Sequence, residues 1–375
     1  MEPKPHLVHV FPTFQHGGSA VRTCAIANRF ADRFRHTFLS LHPGTEARGL
    51  LLPEVEAQAQ EVRGGGLGAP LRLGRAIATL RPDLLLTYNW GSMDAVAGAR
   101  LAAVRPHLHT EDGFNPEEAD GQKRRRVFAR RLLLRGAHGV VVPSHVLERI
   151  ATESWRVPAG RVHLVPNGID TARFAPGEAG PARARFGFDP EDGVVGTVAY
   201  LRPVKNLPLL VRAFARAARD RRLRLLVVGE GPDRDALRDL ARDLGVGERA
   251  RFPGLLPDPV DAYRAMDVFA LSSSTEQMPI SVLEAMGAEL PVLSTDVGDV
   301  RHIVAAPNHP YVIPLADEEG YVRALERLLD DRAERARVGA ANRERCGAEY
   351  AEERMFERYL RLYERALGNP AGGPT

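Results

Sequence analysis

The chain has 375 residues, 44% of them hydrophobic and 26% charged, and a formal net charge of +3. The length suits two domains of ordinary size, and the composition excludes a disordered or fibrous chain. The charge is too small to mark a nucleic-acid binder by itself, no run of about eighteen apolar residues marks a membrane span, and Cys24 and Cys346 give neither a disulfide framework nor metal-ligand spacing.

In chain order, MEPKPHLVHVFP lacks a basic region followed by a long apolar run, so no secretion signal is expected and the chain reads as cytoplasmic. His6–Phe11 reads as a strand, followed by a turn with Gly17 and Gly18 and a helical pattern that Ser19 can cap. Strand, glycine turn and helix form the first unit of a doubly wound α/β domain. The two glycines let a ligand come close to the backbone. Apolar runs at His36–Leu41, Asp83–Thr87, His107–Thr110 and Gly139–Val142, with helical patterns at Leu71–Leu80 and Asp94–Val104 between them, predict a mainly parallel sheet. Binding groups in such a sheet gather at the strand C-termini. Gly64–Ala69 contains G-x-G-x-x-A, but it follows a later strand and the next acid, Asp83, begins a strand; it reads as a glycine-rich loop.

His109-Thr110-Glu111-Asp112-Gly113 stands at a strand end, where Glu111 and Asp112 are candidates to bind a ligand or take a proton. A hydrogen-bonded cluster that merely closes the strand end is the alternative. Between 122 and 135, helical spacing lets Val127, Phe128, Leu132 and Leu134 pack inward while the cations project outward. Such a helix suits either the anionic surface of a membrane or plain solvation. The turn Val165-Pro166-Asn167-Gly168-Ile169-Asp170 closes a first domain, 1–170, and the Pro-, Gly- and Ala-rich stretch 171–192 reads as a linker.

A second domain, 193–348, opens with a strand over Val194–Leu201 and the basic loop Arg202-Pro203-Val204-Lys205, which offers a fork and a point charge to a diphosphate. The strand Leu223–Val228 leads into Gly229-Glu230-Gly231-Pro232. Asp233-Arg234-Asp235 is a literal D-x-D, but it opens a helix, where carboxylates favour the dipole, so no metal site is expected. Asp267 to Pro291, DVFALSSSTEQMPISVLEAMGAELP, reads as a strand, a hydroxyl-rich turn and a helix from about Pro279. The helix start exposes amide donors suited to a diphosphate. Glu276 before it and Glu284 within it, with seven residues between them, can accept hydroxyls from a sugar at one end and a ribose at the other. After Asp317 the pattern is helical; a helix at about 349–367 is expected to pack back on the first domain, and 368–375 to fray.

The run TEQMPISVLEAMGAELPVLSTDVGDVRHIV resembles the C-terminal signature of retaining GT-B glycosyltransferases of the family 4 type, whose paired glutamates are also seven residues apart. The resemblance extends to the V-P-N-G-I-D turn, to a V-G-x-G-P loop and to a G-R-x-x-x-x-K loop. In this last, Lys205 aligns, Tyr200 occupies the Arg place and Arg202 lies two residues on. The resemblance implies an α/β GT-B fold, two doubly wound Rossmann-like domains facing across a cleft. It implies retaining transfer of a sugar from a UDP- or GDP-sugar to an acceptor hydroxyl, without metal or cofactor. His109, facing the transferred sugar, with Arg202, Lys205 and Glu276, would be catalytic. Gly17, Gly18, Glu230, Met278, Pro279, Ile280, Ser281 and Glu284 would bind the donor, and Glu111 and Asp112 the acceptor. Members with lipid acceptors dock through a basic helix like 122–135, which implies a lipid or lipid-linked glycan at the cytoplasmic membrane face. No side chain declares itself a nucleophile, so retention rests on the resemblance alone. The rival readings are a nucleotide-sugar epimerase and a non-catalytic sugar-nucleotide-binding protein of the same fold.

Overall fold

The computed structural model describes residues 3–114, 118 and 121–368. The chain divides into two compact units, one made of Met1–Asn167 with Met355–Thr375 and the other of Gly168–Arg354.

The first unit is built on β1 (His6–Phe11), β2 (Arg35–Ser40), β3 (Ala57–Glu61), β4 (Leu84–Tyr88), β5 (His107–Thr110), β6 (Gly139–Val142) and β7 (Val162–Leu164). The pairings are all parallel, in the order β3-β2-β1-β4-β5-β6-β7. Its helices are α1 (Gly18–Arg29), α2 (Ala69–Thr79), α3 (Met93–Leu101), α4 (Arg124–Leu134) and α5 (His145–Arg149). Because side chains alternate along a strand, Leu7 and Phe11 face one apolar cluster and Val8 and Val10 the other, so the sheet is covered on both faces. Not all of this interior is apolar. His9 lies between the Tyr88 hydroxyl (2.9 Å) and His36 Nδ1 (2.9 Å), and burial holds both imidazoles below their ordinary range, His36 at about 4.

The second unit carries α6 (Ala179–Arg185), β8 (Gly193–Val198), α7 (Leu207–Ala217), β9 (Leu223–Val228), α8 (Arg234–Asp243), β10 (Ala250–Gly254), α9 (Val260–Ala265), β11 (Val268–Leu271), α10 (Ile280–Gly287), β12 (Val292–Thr295), α11 (Val300–Ile303), β13 (Val312–Ile313), α12 (Glu318–Asp330) and α13 (Arg332–Glu349). The strand order is β10-β9-β8-β11-β12-β13, again parallel. Along β11, Val268 and Ala270 join the cluster beneath α7 and α12, while Phe269 and Leu271 join the one beneath α9 and α10. The expected helix at 349–367 is α14 (Glu352–Ala366). From Met355 on it belongs to the first unit, where Met355, Phe356, Tyr359 and Tyr363 enter the apolar cluster with Phe30 and Phe34.

Several expectations are corrected. The stretch 171–192 is not a linker: it contains α6, and Phe174, Ala182 and Phe188 are buried in the second unit's core. The first unit ends at Asn167, within the turn expected to close it, and the second runs on to Arg354. Ser19 lies inside α1, and Gly17 takes the cap position. Apart from Gly368, the expected frayed tail 368–375 lies outside the described residues. In α4, Val127 and Leu134 pack inward as expected, but Phe128 and Leu132 do not. Arg126 and Arg130 are buried, whereas Phe128 and Leu132 are 67% and 53% exposed. Helical spacing tells which residues share a face; the buried carboxylates Glu111 and Glu118 decide which face turns inward. No helix among the described residues is long and apolar enough to cross a membrane. Cys24 and Cys346 are free and buried in α1 and α13, and burial pushes both thiols up to about 12.

Candidate active site

In an open parallel sheet the crevice forms where the strand order reverses, because the two connections leave towards opposite faces. In the second unit that point lies between β8 and β11. The loop after β8 carries Lys205, and the loop after β11 carries Glu276 and leads into α10. Residues 71 positions apart therefore meet: Lys205 Nζ donates to Glu276 Oε1 at 2.5 Å, with the two side chains 17% and 12% exposed. Ser273 Oγ donates to the same oxygen at 2.7 Å.

The hydroxyl-rich turn joins the two loops. Ser272 Oγ donates to the Lys205 carbonyl at 2.9 Å. Both Ser274 N–H and Ser274 Oγ donate to the Val204 carbonyl, at 2.9 and 3.1 Å. Thr295 Oγ1 ties down the Ser273 carbonyl at 2.6 Å. Gly298, at φ +54°, passes so close to the Glu276 carbonyl that a Cβ would sit 2.4 Å from its oxygen. That contact fixes the turn from the β12 side. In the sequence these serines are legible only as a hydroxyl-rich turn, with composition their sole signal.

Pro279 stands at the cap position of α10. Val282 N–H donates to the Pro279 carbonyl at 3.1 Å, and the amides ahead of it carry the positive end of the helix dipole. Met278 and Pro279 are buried, while Ile280 and Ser281 are partly exposed beside them. One turn further on, Glu284 Oε2 accepts a hydrogen bond of 2.5 Å from Tyr263 Oη. Burial raises the Glu284 carboxyl, while the Tyr263 donor and the Arg173 charge pull the other way. Tyr263 lies on α9, and nothing in its local sequence marks it as a partner of Glu284.

Arg202 precedes the Lys205 turn, and its Nε is buried without a partner among the described residues. Tyr200 is 61% exposed. Glu230 pairs with Arg234 at 2.7 Å, and Arg234 also donates to the Phe252 carbonyl at 3.0 Å, so the start of α8 ties the loop after β9 to β10. A cavity of about 690 Å³ beside α8 is lined by Phe252 but by none of Arg202, Lys205, Glu230, Glu276 and Glu284. Two of its arginines, Arg185 and Arg242, are paired with Asp261 and Asp239. No group of three or more His, Cys, Asp or Glu side chains among the described residues is placed to hold a metal ion.

In the first unit the strand-end residues are enclosed. His109 and Glu111, expected to meet substrate, are fully buried. His109 Nδ1 is 2.8 Å from Thr87 Oγ1 on the neighbouring strand, with which it is in register. Glu111 Oε2 accepts from Arg130 Nε at 3.1 Å. Trp90, Phe114 and Trp155 surround the Arg130 guanidinium at 4.8, 5.6 and 4.9 Å, and these rings keep the cluster from solvent. Asp112 is also committed: Arg22 grips both its oxygens, at 2.6 and 2.9 Å, and also donates to Asn167 at 2.9 Å. Gly17 and Gly18 are exposed at the start of α1.

Two family models match the chain: "Glycosyltransferase Family 4" over residues 16–173 and "Glycosyl transferases group 1" over residues 180–345. A D-inositol 3-phosphate glycosyltransferase of Kineococcus radiotolerans is 30% identical over 313 residues, 78% of this chain and 68% of that protein. The chain belongs to the family 4 glycosyltransferases. The enzyme of the same name from Nocardia farcinica is 33% identical over 252 residues, 64% of this chain and 54% of the relative. Two Rhodococcus relatives are covered to 63% and 64%, so this family 4 member spans between about half and two thirds of the length of these four relatives. Among solved structures, Anabaena Alr3699/HepE in complex with UDP and glucose superposes with a TM-score of 0.82 at 18% identity, covering 96% of this chain and 100% of the other. Sucrose-phosphate synthase of Thermosynechococcus elongatus gives 0.81 at 21%, covering 97% and 99%. The fold of this family 4 member is GT-B, with two parallel-sheet Rossmann-like domains.

Proposed function

We propose that this chain is a retaining, metal-independent glycosyltransferase that moves a sugar from a nucleoside diphosphate sugar to an acceptor hydroxyl. The observation that carries the reading is the meeting of Lys205, Glu276 and the start of α10 at the switch point of the second sheet. Solved complexes of a structural neighbour with UDP and with UDP-glucose support a donor of this class.

In this reading the α10 amides and Lys205 hold the diphosphate and stabilise its charge as the sugar departs, the part a divalent cation plays elsewhere. Arg202 supplies a second cation and takes the place of the arginine lost at Tyr200. Glu276 accepts hydroxyls of the sugar, and Glu284 those of the ribose. In the free protein Lys205 and Glu276 satisfy each other; donor binding replaces that contact with one partner for each. His109 and Glu111, fully buried, position the first unit's strand ends and do not contact substrate; Asp112, held by Arg22 but with its side chain 20% exposed, is the acceptor-side carboxylate. The acceptor is a lipid or lipid-linked glycan at the cytoplasmic membrane face. The exposed Phe128 and Leu132, on a helix rich in arginine, support that assignment.

The test is incubation with radiolabelled UDP- and GDP-sugars and a lipid extract. Labelled lipid, lost in Lys205→Ala, is the expected result, with the anomeric configuration of the donor kept in the product. Interconverted donor would identify an epimerase, and binding without turnover a non-catalytic protein.

A further inference from the structure

We infer that Tyr263 is a positioning residue for Glu284: its hydroxyl fixes one carboxylate oxygen so that the other faces the ribose of the donor. The inference rests on the donor reading above and deepens it. Tyr263 is fully buried on α9. Its ring packs against Phe174 and Phe269, with centroids 5.7 and 5.9 Å away. A phenol held this way has little freedom to choose another partner. Its hydroxyl donates to Glu284 Oε2 at 2.5 Å. Glu284 Oε1 takes no hydrogen bond from the described residues, and it is not among the enclosed unpaired atoms.

The carboxylate would otherwise rotate about flexible bonds on a short helix whose neighbouring side chains, Leu283 and Ala285, are buried. A fixed Oε2 leaves Oε1 as an aligned acceptor for a vicinal diol. The charged and titratable groups acting on Glu284 are Tyr263, Arg173 and Asp258. Arg173 is paired with Asp258 at 3.0 Å and is largely exposed. Tyr263 is therefore the enclosed donor that favours the ionised carboxylate, the form that accepts both hydroxyls.

The experiment is calorimetric titration of the full chain with UDP and with 2′,3′-dideoxy-UDP, GDP serving as a second probe. The parent is expected to prefer UDP to the dideoxy compound by about tenfold, the size of a hydrogen bond to a charged group. Tyr263→Phe should lose most of that preference by weakening UDP alone. Its acid limb of UDP binding should move to higher pH, because the carboxylate loses a donor to its ionised form. Tyr263→Phe/Glu284→Gln should bind UDP as Glu284→Gln does, since the hydroxyl acts only through the carboxylate. A Tyr263→Phe protein with the full preference would overturn the inference and leave the donor reading intact. Equal weakening towards both ligands would also overturn it, by indicating general loosening. A parent that treats the two ligands alike refutes the ribose role of Glu284 itself, and one that binds neither UDP nor GDP refutes the donor reading.

Discussion

The two units follow the same doubly wound plan and both bring charged residues to strand ends, yet they use them in opposite ways. In the first unit Glu111 is sealed under Arg130 and three aromatic rings, and Asp112 is clamped by Arg22. In the second, Lys205 and Glu276 stay within reach of solvent, and one oxygen of Glu284 is unclaimed. A polar residue at a strand C-terminus is thus a place for chemistry only if the neighbouring loops leave it open. On the function proposed above, the first unit's cluster is a brace and the second's a receptor.

The largest effect that could break this contrast is on stability. Arg130→Ala leaves Glu111 buried and unpaired and should cost about 3–5 kcal/mol. That corresponds to a fall in Tm of roughly 10 °C for a unit of this size, with UDP affinity unchanged. A variant that kept its Tm but lost UDP binding would show that the first cluster is a ligand site after all. Next, Lys205→Ala should lower kcat by about 10²- to 10³-fold with a much smaller shift in Tm, measured by transfer assay and calorimetry. A normal kcat would remove Lys205 from the machinery.

Acid should separate the units. His9, His36 and His107 in the first unit are held below the ordinary imidazole range, mainly by burial, His36 to about 4 and His107 to about 3. Their folded values lie below the unfolded value near 6.5, so the unfolded state binds protons first. The stability they contribute is present above about pH 6.5 and is lost as the pH falls towards 4 and 3, by about 1.4 kcal/mol per pH unit for each histidine. Trp90 and Trp155 both lie in the first unit. Their fluorescence should therefore change at higher pH than the second unit's share of the far-ultraviolet circular dichroism. Coincident transitions would contradict the contrast. The smallest expected effect is that of Phe128→Ser with Leu132→Ser: exposed as they are, the pair should shift stability by no more than about 0.5 kcal/mol while weakening sedimentation with anionic vesicles.

How far the sequence could be read depended on what kind of signal each part carries. Buried strands such as His6–Phe11, Leu223–Val228 and Val268–Leu271 are plain apolar runs between turn residues, and they fall where expected. The edge strand Ala57–Glu61, AQAQE, is half polar because one edge and part of its surface meet solvent, so it carried no such signal. The composition of 171–192 suggested a spacer, yet two phenylalanines and an alanine anchor it in a core; average composition hides a few large buried groups. Within the candidate site, local order marked Lys205 and Glu276, which follow strands, and Glu284 by its spacing from Glu276 inside α10. The partner of Glu284 lies 21 residues away on another helix. The rings around Arg130 come from three separate segments. Tertiary neighbours of this kind have no footprint in local periodicity.

The seams sewn by Ser272 and Ser274 to the carbonyls of Lys205 and Val204 have a thermodynamic consequence. The main chain beneath the ammonium is already immobilised when the protein folds, so a pyrophosphate arriving there has only a side chain left to order. Capture should then be quick and its entropic penalty small, and loosening either serine would slow arrival as well as weaken grip.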